Sequence, residues 1–336
     1  MKKIIIIAEA GVNHNGKFEL AKKLINEAKK SGADYVKFQS FDAEEIAIKN
    51  LKKTKYQIRN SDARNENQFK MLKKLQLSEK VTKKIYLHCK KKKIKFLSSV
   101  FDLKSLNNLK KYKMDFYKIA SSEITNFPLL KSIAKLKKRI ILSTGMSNLK
   151  EIKNSLKVLV KYGCKKKNIC LLHCNSSYPT PLKDANILAI KYLKDKLKIN
   201  VGYSDHTLGL EASLGAVALG AKIIEKHITI NNNLKGPDHK SSMNTNTFFT
   251  LVKSIKNLEI ALGNEKKNVT KSELENRDLV RKSIVASRNI KIGEKFSINN
   301  ITTKRPGLGI SPMKIMSILG KKSKFNFKRD NLIKLK

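Results

Sequence analysis

The chain has 336 residues and a mass of 38.1 kDa, too long for one average domain but suited to a barrel of about 250 residues followed by a module of roughly 60. Its 40% hydrophobic content is ordinary for a globular protein, and no apolar run approaches the ~18 to 20 residues of a membrane helix, so a membrane partner is not expected. The formal charge of +45 invites a nucleic-acid reading, but only eight of the 72 basic residues are arginine and lysine is spread along the whole chain, so the charge reads as compositional bias with no nucleic-acid partner.

The apolar start, Ile4 to Ile7, is cut by Glu9, Asn13, His14 and Asn15, so it reads as a first buried strand over 4–9 and not as a signal peptide. Short apolar runs at 35–39, 94–98, 116–119, 139–143, 169–173, 199–203 and 222–227 predict seven more strands. Between them, apolar residues recur at three and four over 18–30, 129–136, 149–162 and 210–219, the pattern of crossover helices. Gly32, Gly163 and Gly220 stand where a helix hands over to a strand. Eight such units predict an α/β fold, the (β/α)₈ TIM barrel, over 1–265, with its last helical signal at 248–262. A polar linker is expected at 266–276 and a small, mostly β module over 277–336, with short strands and the tight turn Lys304-Arg305-Pro306-Gly307. The lysine runs 90–93 and 165–167 fall where a helix ends, where cations suit its dipole. Cys89, Cys164, Cys170 and Cys174 have no CxxC spacing, so reduced thiols and a cytoplasmic location are expected.

A barrel of this kind collects its reactive groups at the C-terminal ends of its strands. Those ends supply Glu9, then Lys37 and Gln39, Ser99, Lys118 with Ser121 and Glu123, Ser143, His173 with Ser176, Ser204-Asp205-His206, and Glu225-Lys226-His227. His206 and His227 end adjacent strands and can share one metal ion, with Asp205 or Glu225 as outer support; the alternative is that each bonds only to backbone. His173 reads as structural. Lys37 and Lys118, ringed by serine hydroxyls, can hold a phosphate, form a Schiff base, or pair with Glu9 or Glu123. Those two carboxylates can in turn act as a general base or hold a substrate hydroxyl. In Gly236-Pro237-Asp238-His239, Asp238 can reach a polyol or simply shape its loop.

Several stretches resemble the sialic acid synthase family. They are Ala8-Glu9-Ala10-Gly11-Val12-Asn13-His14-Asn15-Gly16, Val36-Lys37-Phe38-Gln39-Ser40, Leu142-Ser143-Thr144-Gly145-Met146, Tyr178-Pro179-Thr180-Pro181, Gly202-Tyr203-Ser204-Asp205-His206-Thr207, Ile224-Glu225-Lys226-His227 and Gly236-Pro237-Asp238-His239. Arg281-Lys282-Ser283 and Lys304-Arg305-Pro306-Gly307 resemble that family's C-terminal antifreeze-like (SAF) domain. The resemblance implies condensation of phosphoenolpyruvate with an N-acetylated hexosamine, typically N-acetylmannosamine, to give N-acetylneuraminate and phosphate with Mn²⁺ or Mg²⁺ as cofactor. Close relatives make legionaminate or pseudaminate, and the first and last barrel motifs look nearer to the neuraminate and legionaminate branches.

Carried onto this chain, the resemblance makes His206 and His227 the metal ligands. Lys37, Lys118, Ser99, Ser121, Ser176 and Ser204 would hold phosphoenolpyruvate, with Ser143 also at the substrate site. Glu9, Gln39, Tyr178 and Asp238 would meet the sugar, with Glu123 near the reacting carbons. C3 of phosphoenolpyruvate would attack the metal-polarised aldehyde, water would capture C2, and phosphate would leave by C–O cleavage. Arg305, otherwise a surface charge, would complete a neighbour's site in a domain-swapped homodimer. The chain departs from the family pattern at Ser98-Ser99-Val100-Phe101, at Ser121-Ser122-Glu123 and at His173-Cys174-Asn175. A Schiff-base aldolase and a basic nucleic-acid-binding protein are the readings from other classes.

Overall fold

Eight parallel strands close on themselves in chain order, β1 pairing with both β2 and β8. They are β1 (Ile5–Gly11), β2 (Tyr35–Ser40), β3 (Lys95–Val100), β4 (Phe116–Ile119), β5 (Arg139–Ser143), β6 (Ile169–His173), β7 (Asn200–Asp205) and β8 (Ile223–Thr229). The computed structural model describes residues 3–60 and 66–336. All eight expected strands are present, and the (β/α)₈ barrel is confirmed; where ends differ, the strands run up to two residues further toward the barrel mouth. A two-residue strand, β9 (Met243–Asn244), extends the sheet beside β8.

Successive side chains of a strand face opposite sides, and in a barrel one side is the interior. Inward-facing Ile7, Tyr35, Leu97, Phe116, Ile141, Leu172 and Ile223 pack as one buried cluster that plugs the lower barrel. The alternate residues, such as Ile6, Val36, Phe96, Ile140, Leu171 and Ile224, join the larger core between strands and helices. Gly202 is required in this packing: a Cβ there would stand 2.5 Å from the Ile223 carbonyl oxygen and 2.7 Å from Leu172 Cδ2. Moving up each strand by two residues from the apolar plug brings the next inward position to the mouth. That step turns Ile7 into Glu9, Tyr35 into Lys37, Leu97 into Ser99, Phe116 into Lys118, Ile141 into Ser143 and Ile223 into Glu225.

The outer layer is α1 (Phe18–Lys30), α2 (Ala43–Ile46), α3 (Lys55–Asn60), α4 (Gln68–Leu75), α5 (Glu79–Lys91), α6 (Leu103–Leu109), α7 (Phe127–Ala134), α8 (Leu149–Lys161), α9 (Ala189–Leu197), α10 (Glu211–Ala218) and α11 (Thr245–Ala261). In α1 the apolar positions Ala21, Leu24, Ile25 and Ala28 are fully buried, and the polar positions face out. In α8, Asn148 and Glu151 form a reciprocal capping box that fixes where the helix starts. Gly32 and Gly220 adopt φ of +81° and +92°, the left-handed geometry that lets a helix turn back into a strand. Helices α2 to α4 are an excursion between β2 and α5, which the sequence pattern did not single out. It is anchored by Met71 and Leu75 packing on Val12 and Phe41.

The chain divides into two compact units, Met1–Gly263 and Asn264–Lys336. The first helix of the second unit is α12 (Lys271–Val280), so the stretch read as a linker carries the first six residues of a helix, whose start is marked by the Thr270 N–H and hydroxyl donating to the Glu273 carboxylate. An antiparallel pair follows, β10 (Ser283–Ala286) with β11 (Ile301–Lys304), around a core that includes Ile284, Ile290, Phe296, Ile318 and Phe327. Among the described residues no helix is long and apolar enough to cross a membrane. The four cysteines are free and buried.

Candidate active site

At the mouth, the strand register sets Glu9 level with Lys37 on one side and His227 on the other, and Ser204 level with Glu225. These ends line a cavity of about 400 Å³, within the ~300–1,000 Å³ range of small-molecule sites. Its floor is a buried ionic network. Lys37 Nζ lies 2.9 Å from Glu9 Oε2 and 3.5 Å from Glu225 Oε1, and donates to Ser99 Oγ at 2.8 Å. Lys118 Nζ donates to Ser143 Oγ at 2.7 Å and lies 3.8 Å from the same Glu225 oxygen, which also accepts from Ser204 Oγ at 3.0 Å. Gln39 donates to Glu9 Oε1 at 3.3 Å.

Burial acts on all four ionisable groups, and their neighbours decide the outcome. It pushes the Glu9 carboxyl up to about 7 against the attraction of Lys37. It also opposes the charge on Glu225, but Lys118 and Lys37 outweigh it and hold Glu225 below the usual carboxylate range. Burial likewise works against Lys37, where Glu225 and Glu9 win and keep the ammonium. At Lys118 burial prevails and lowers the pKa. The floor therefore favours the charged forms of Glu225 and Lys37, and works against the charged forms of Glu9 and Lys118.

The histidine pair stands at the side of this floor, rings 5.5 Å apart. His206 Nδ1 faces the Asn175 carbonyl oxygen at 2.5 Å, so that nitrogen carries the proton and Nε2 keeps its lone pair. Nε2 faces the Tyr178 hydroxyl at 3.2 Å and Ser204 Oγ at 3.3 Å. Burial lowers His206 to about 4 and His227 well below its ordinary value, so both rings are neutral. His227 Nδ1 is buried without a hydrogen-bond partner, 3.8 Å from Asp238 Oδ2. Two neutral imidazoles, one with an orphaned nitrogen, fit a divalent cation. Among the described residues no three His, Cys, Asp or Glu side chains gather into a metal cage, so further ligands would be water or substrate oxygen.

Most residues singled out in the sequence converge here. Glu9, Lys37, Gln39, Ser99, Lys118, Ser121, Glu123, Ser143, Ser176, Tyr178, Ser204, His206 and His227 all line the one cavity. Ser121 Oγ accepts from the Gly145 N–H at 3.0 Å. Glu123 sits on a 3₁₀ turn and accepts from Asn126 Nδ2 at 2.7 Å; neither lysine pairs with it among the described residues. Asp238 is buried against His227, with its carboxyl raised by burial to about 6. Arg305 belongs to the second unit, exposed just after β11. His173 points elsewhere, Nε2 donating to the Ala185 carbonyl at 2.9 Å.

Among the described residues Asp205 accepts no hydrogen bond from either histidine, although its charge acts on His206. Its parity turns it outward, where it pairs with Lys226 at 2.8 Å and accepts from Thr207 and Ser213. Glu225, by contrast, is central, and the sequence reading gave it only an outer role. The excursion was missed altogether: Ile46, Tyr56, Gln57, Gln68 and Leu72 form the outer wall of the cavity. The Tyr56 ring stands 5.1 Å from that of Tyr178, which lies 4.2 Å from His206.

Residues 24–267 match the NeuB family, and residues 281–336 match the SAF domain. The chain belongs to the NeuB family. Its resemblance to the sialic acid synthases is thereby borne out, as is the antifreeze-like C-terminal module. This NeuB-family chain is 52% identical over 334 residues to the N,N'-diacetyllegionaminic acid synthase of Campylobacter jejuni, covering 99% of the chain and 100% of that protein. It is 41% identical over 323 residues to the protein of the same name from Legionella pneumophila, covering 96% and 90%. Among solved structures, it is similar to the N-acetylneuraminic acid synthetase of Leptospira borgpetersenii at a TM-score of 0.71, with 35% identity over 82% of this chain and 90% of that one. The NeuB-family chain is thus an enzyme, a synthase of the same general kind as these relatives.

Proposed function

We propose that this enzyme condenses phosphoenolpyruvate with a hexosamine bearing two acetamido groups, giving N,N'-diacetyllegionaminate and phosphate. The observation that carries this reading is the 52% identity, end to end, with a synthase of that product. The relatives favour this alternative over the N-acetylneuraminate reading taken from the motifs, since the N-acetylneuraminic acid synthetase is 35% identical. Phosphoenolpyruvate contributes three carbons and no nitrogen, so both acetamido groups of such a product must arrive with the sugar. Water completes the balance: its oxygen stays on C2 and the bridging oxygen departs with phosphate.

Lys37 and Lys118, at the bottom of the cavity, suit the anionic groups of phosphoenolpyruvate, with Ser99 and Ser143 holding the ammonium groups in place. Ser121, Ser176 and Ser204 are proposed as further polar contacts to that substrate. Glu9, whose carboxyl is pushed up to about 7 by burial, can accept the proton of the water that adds at C2. Glu123, a further carboxylate lining the cavity, is proposed to stand near the reacting carbons. Gln39, Tyr178 and Asp238 are proposed to hold the sugar. A Mn²⁺ or Mg²⁺ ion held by His206 and His227 would polarise the sugar's aldehyde oxygen. In the domain-swapped homodimer that the resemblance implies, Arg305 completes a neighbour's site.

A screen tests the substrate: phosphate release from phosphoenolpyruvate is followed with a diacetamido hexosamine and with N-acetylmannosamine, each with Mn²⁺ or Mg²⁺. Faster turnover of the diacetamido sugar is expected. Preference for N-acetylmannosamine, or no release with either, refutes the reading.

A further inference from the structure

The cavity has two chemical faces. Its floor is the charged network of Lys37, Lys118, Glu9 and Glu225, whereas the excursion and the end of β3 contribute Ile46, Leu72 and Phe101. These three apolar side chains are not loose surface residues; they pack against the buried Val12, Phe41, Met71 and Leu75. Beside them, Gln57 Oε1 accepts from the Thr54 N–H at 3.0 Å and from Gln68 Nε2 at 2.9 Å. One N–H of the Gln68 amide is thereby used within the protein, and the carbonyl oxygen and second N–H of this cavity-lining residue stay available to a ligand.

An apolar wall with an amide beside it matches an acetamido group, which presents a methyl, an N–H and a carbonyl oxygen. We infer that Ile46, Leu72, Phe101 and Gln68 form the subsite for the second acetamido group of the hexosamine, the group that separates a diacetamido sugar from N-acetylmannosamine. The inference rests on the function proposed above. Its direction follows from the ring stack His206, Tyr178, Tyr56, which leads from the histidines, where the aldehyde is proposed to sit, toward the excursion. A sugar anchored by its aldehyde end runs its far carbons along that path. A hydroxyl in place of the second acetamido group would face the three apolar side chains without filling the methyl's place. Such pockets discriminate by about 10 to 200-fold.

The test is a competition between a diacetamido hexosamine and N-acetylmannosamine, read as the ratio of their kcat/KM values. With the unaltered enzyme a ratio of about 100 in favour of the diacetamido sugar is expected. Gln68→Leu, which keeps the side chain's size but removes the amide, should narrow the ratio about tenfold, and Ile46→Asn, which puts a polar group in the wall, should narrow it similarly. If both variants lower the two sugars by one common factor, or change neither, the subsite is overturned while the proposed function stands. If the unaltered enzyme itself fails to prefer the diacetamido sugar, the proposed function falls first, before any variant is made.

Discussion

Glu225 Oε1 lies 3.5 Å from Lys37 Nζ, both side chains almost wholly buried, and the same oxygen is 3.8 Å from Lys118 Nζ. One carboxylate thus restrains two ammonium groups at the bottom of the cavity. Removing one member of a buried ion network costs about 3–5 kcal/mol, because the remaining charges lose their compensation; here Lys37 keeps Glu9, so about 2–3 kcal/mol is expected. Glu225→Gln should therefore lower the melting temperature of the free enzyme, and inorganic phosphate should raise it more in the variant than in the unaltered protein, since an anion replaces the missing charge. Equal phosphate stabilisation of both proteins in a thermal-shift assay would count against this.

His206→Ala and His227→Ala should each abolish metal-dependent turnover while leaving the circular dichroism spectrum unchanged. Binding supplies a readout apart from activity: the affinity for Mn²⁺, followed by the loss of the free-ion electron paramagnetic signal, should fall at least about tenfold in each variant. Near-normal Mn²⁺ binding in either would show that the ion is held elsewhere.

Glu9 sets a pH dependence whose sign can be worked out. Burial raises its carboxyl to about 7, so the carboxylate that accepts a proton is present above that pH and lost below it. kcat/KM should accordingly rise with pH through about 7, and Glu9→Gln should be slower by at least about tenfold with that limb gone. Persistence of the same limb in the variant would assign it to another group.

The strands and most of the floor were legible from period alone. Each barrel strand is an apolar run that turns polar at its C-terminal end, and the polar residues at alternate positions, such as Lys37 and Gln39, or Ser204 and His206, share one face. Counting by twos from His227 also selects Glu225 and rejects Lys226, while counting from His206 selects Ser204 and rejects Asp205. Without that parity, Asp205 and Glu225 are simply two carboxylates beside the histidines and look equivalent. The excursion was harder. Helices α2, α3 and α4 have 4, 6 and 8 residues, too short for a repeating apolar stripe to stand out. Their positions come from tertiary contacts instead, such as Asn60 Nδ2 donating to the Pro237 carbonyl at 2.9 Å and the packing of Met71 on Phe41.

The proposed role of Arg305 in a neighbour's site can be read by mixing two inactive proteins. Arg305→Ala and His206→Ala subunits, unfolded and refolded together, form mixed dimers in which one site has an intact barrel and an intact arginine. About a quarter of the normal activity should return, because half the dimers are mixed and each has one complete site of two. Activity that stays at the level of the separate variants would place Arg305 outside any shared site.

Phosphoenolpyruvate is proposed to give its three carbons to a diacetamido hexosamine and to release phosphate by C–O cleavage. Phosphoenolpyruvate labelled with ¹⁸O at the bridging position, supplied with that sugar and Mn²⁺, tests it by mass spectrometry of both products. A nine-carbon acid carrying both acetyl groups and no label, with the ¹⁸O in the phosphate, is the expected result. Label retained in the organic product, or pyruvate and phosphate without a new nine-carbon acid, would contradict it.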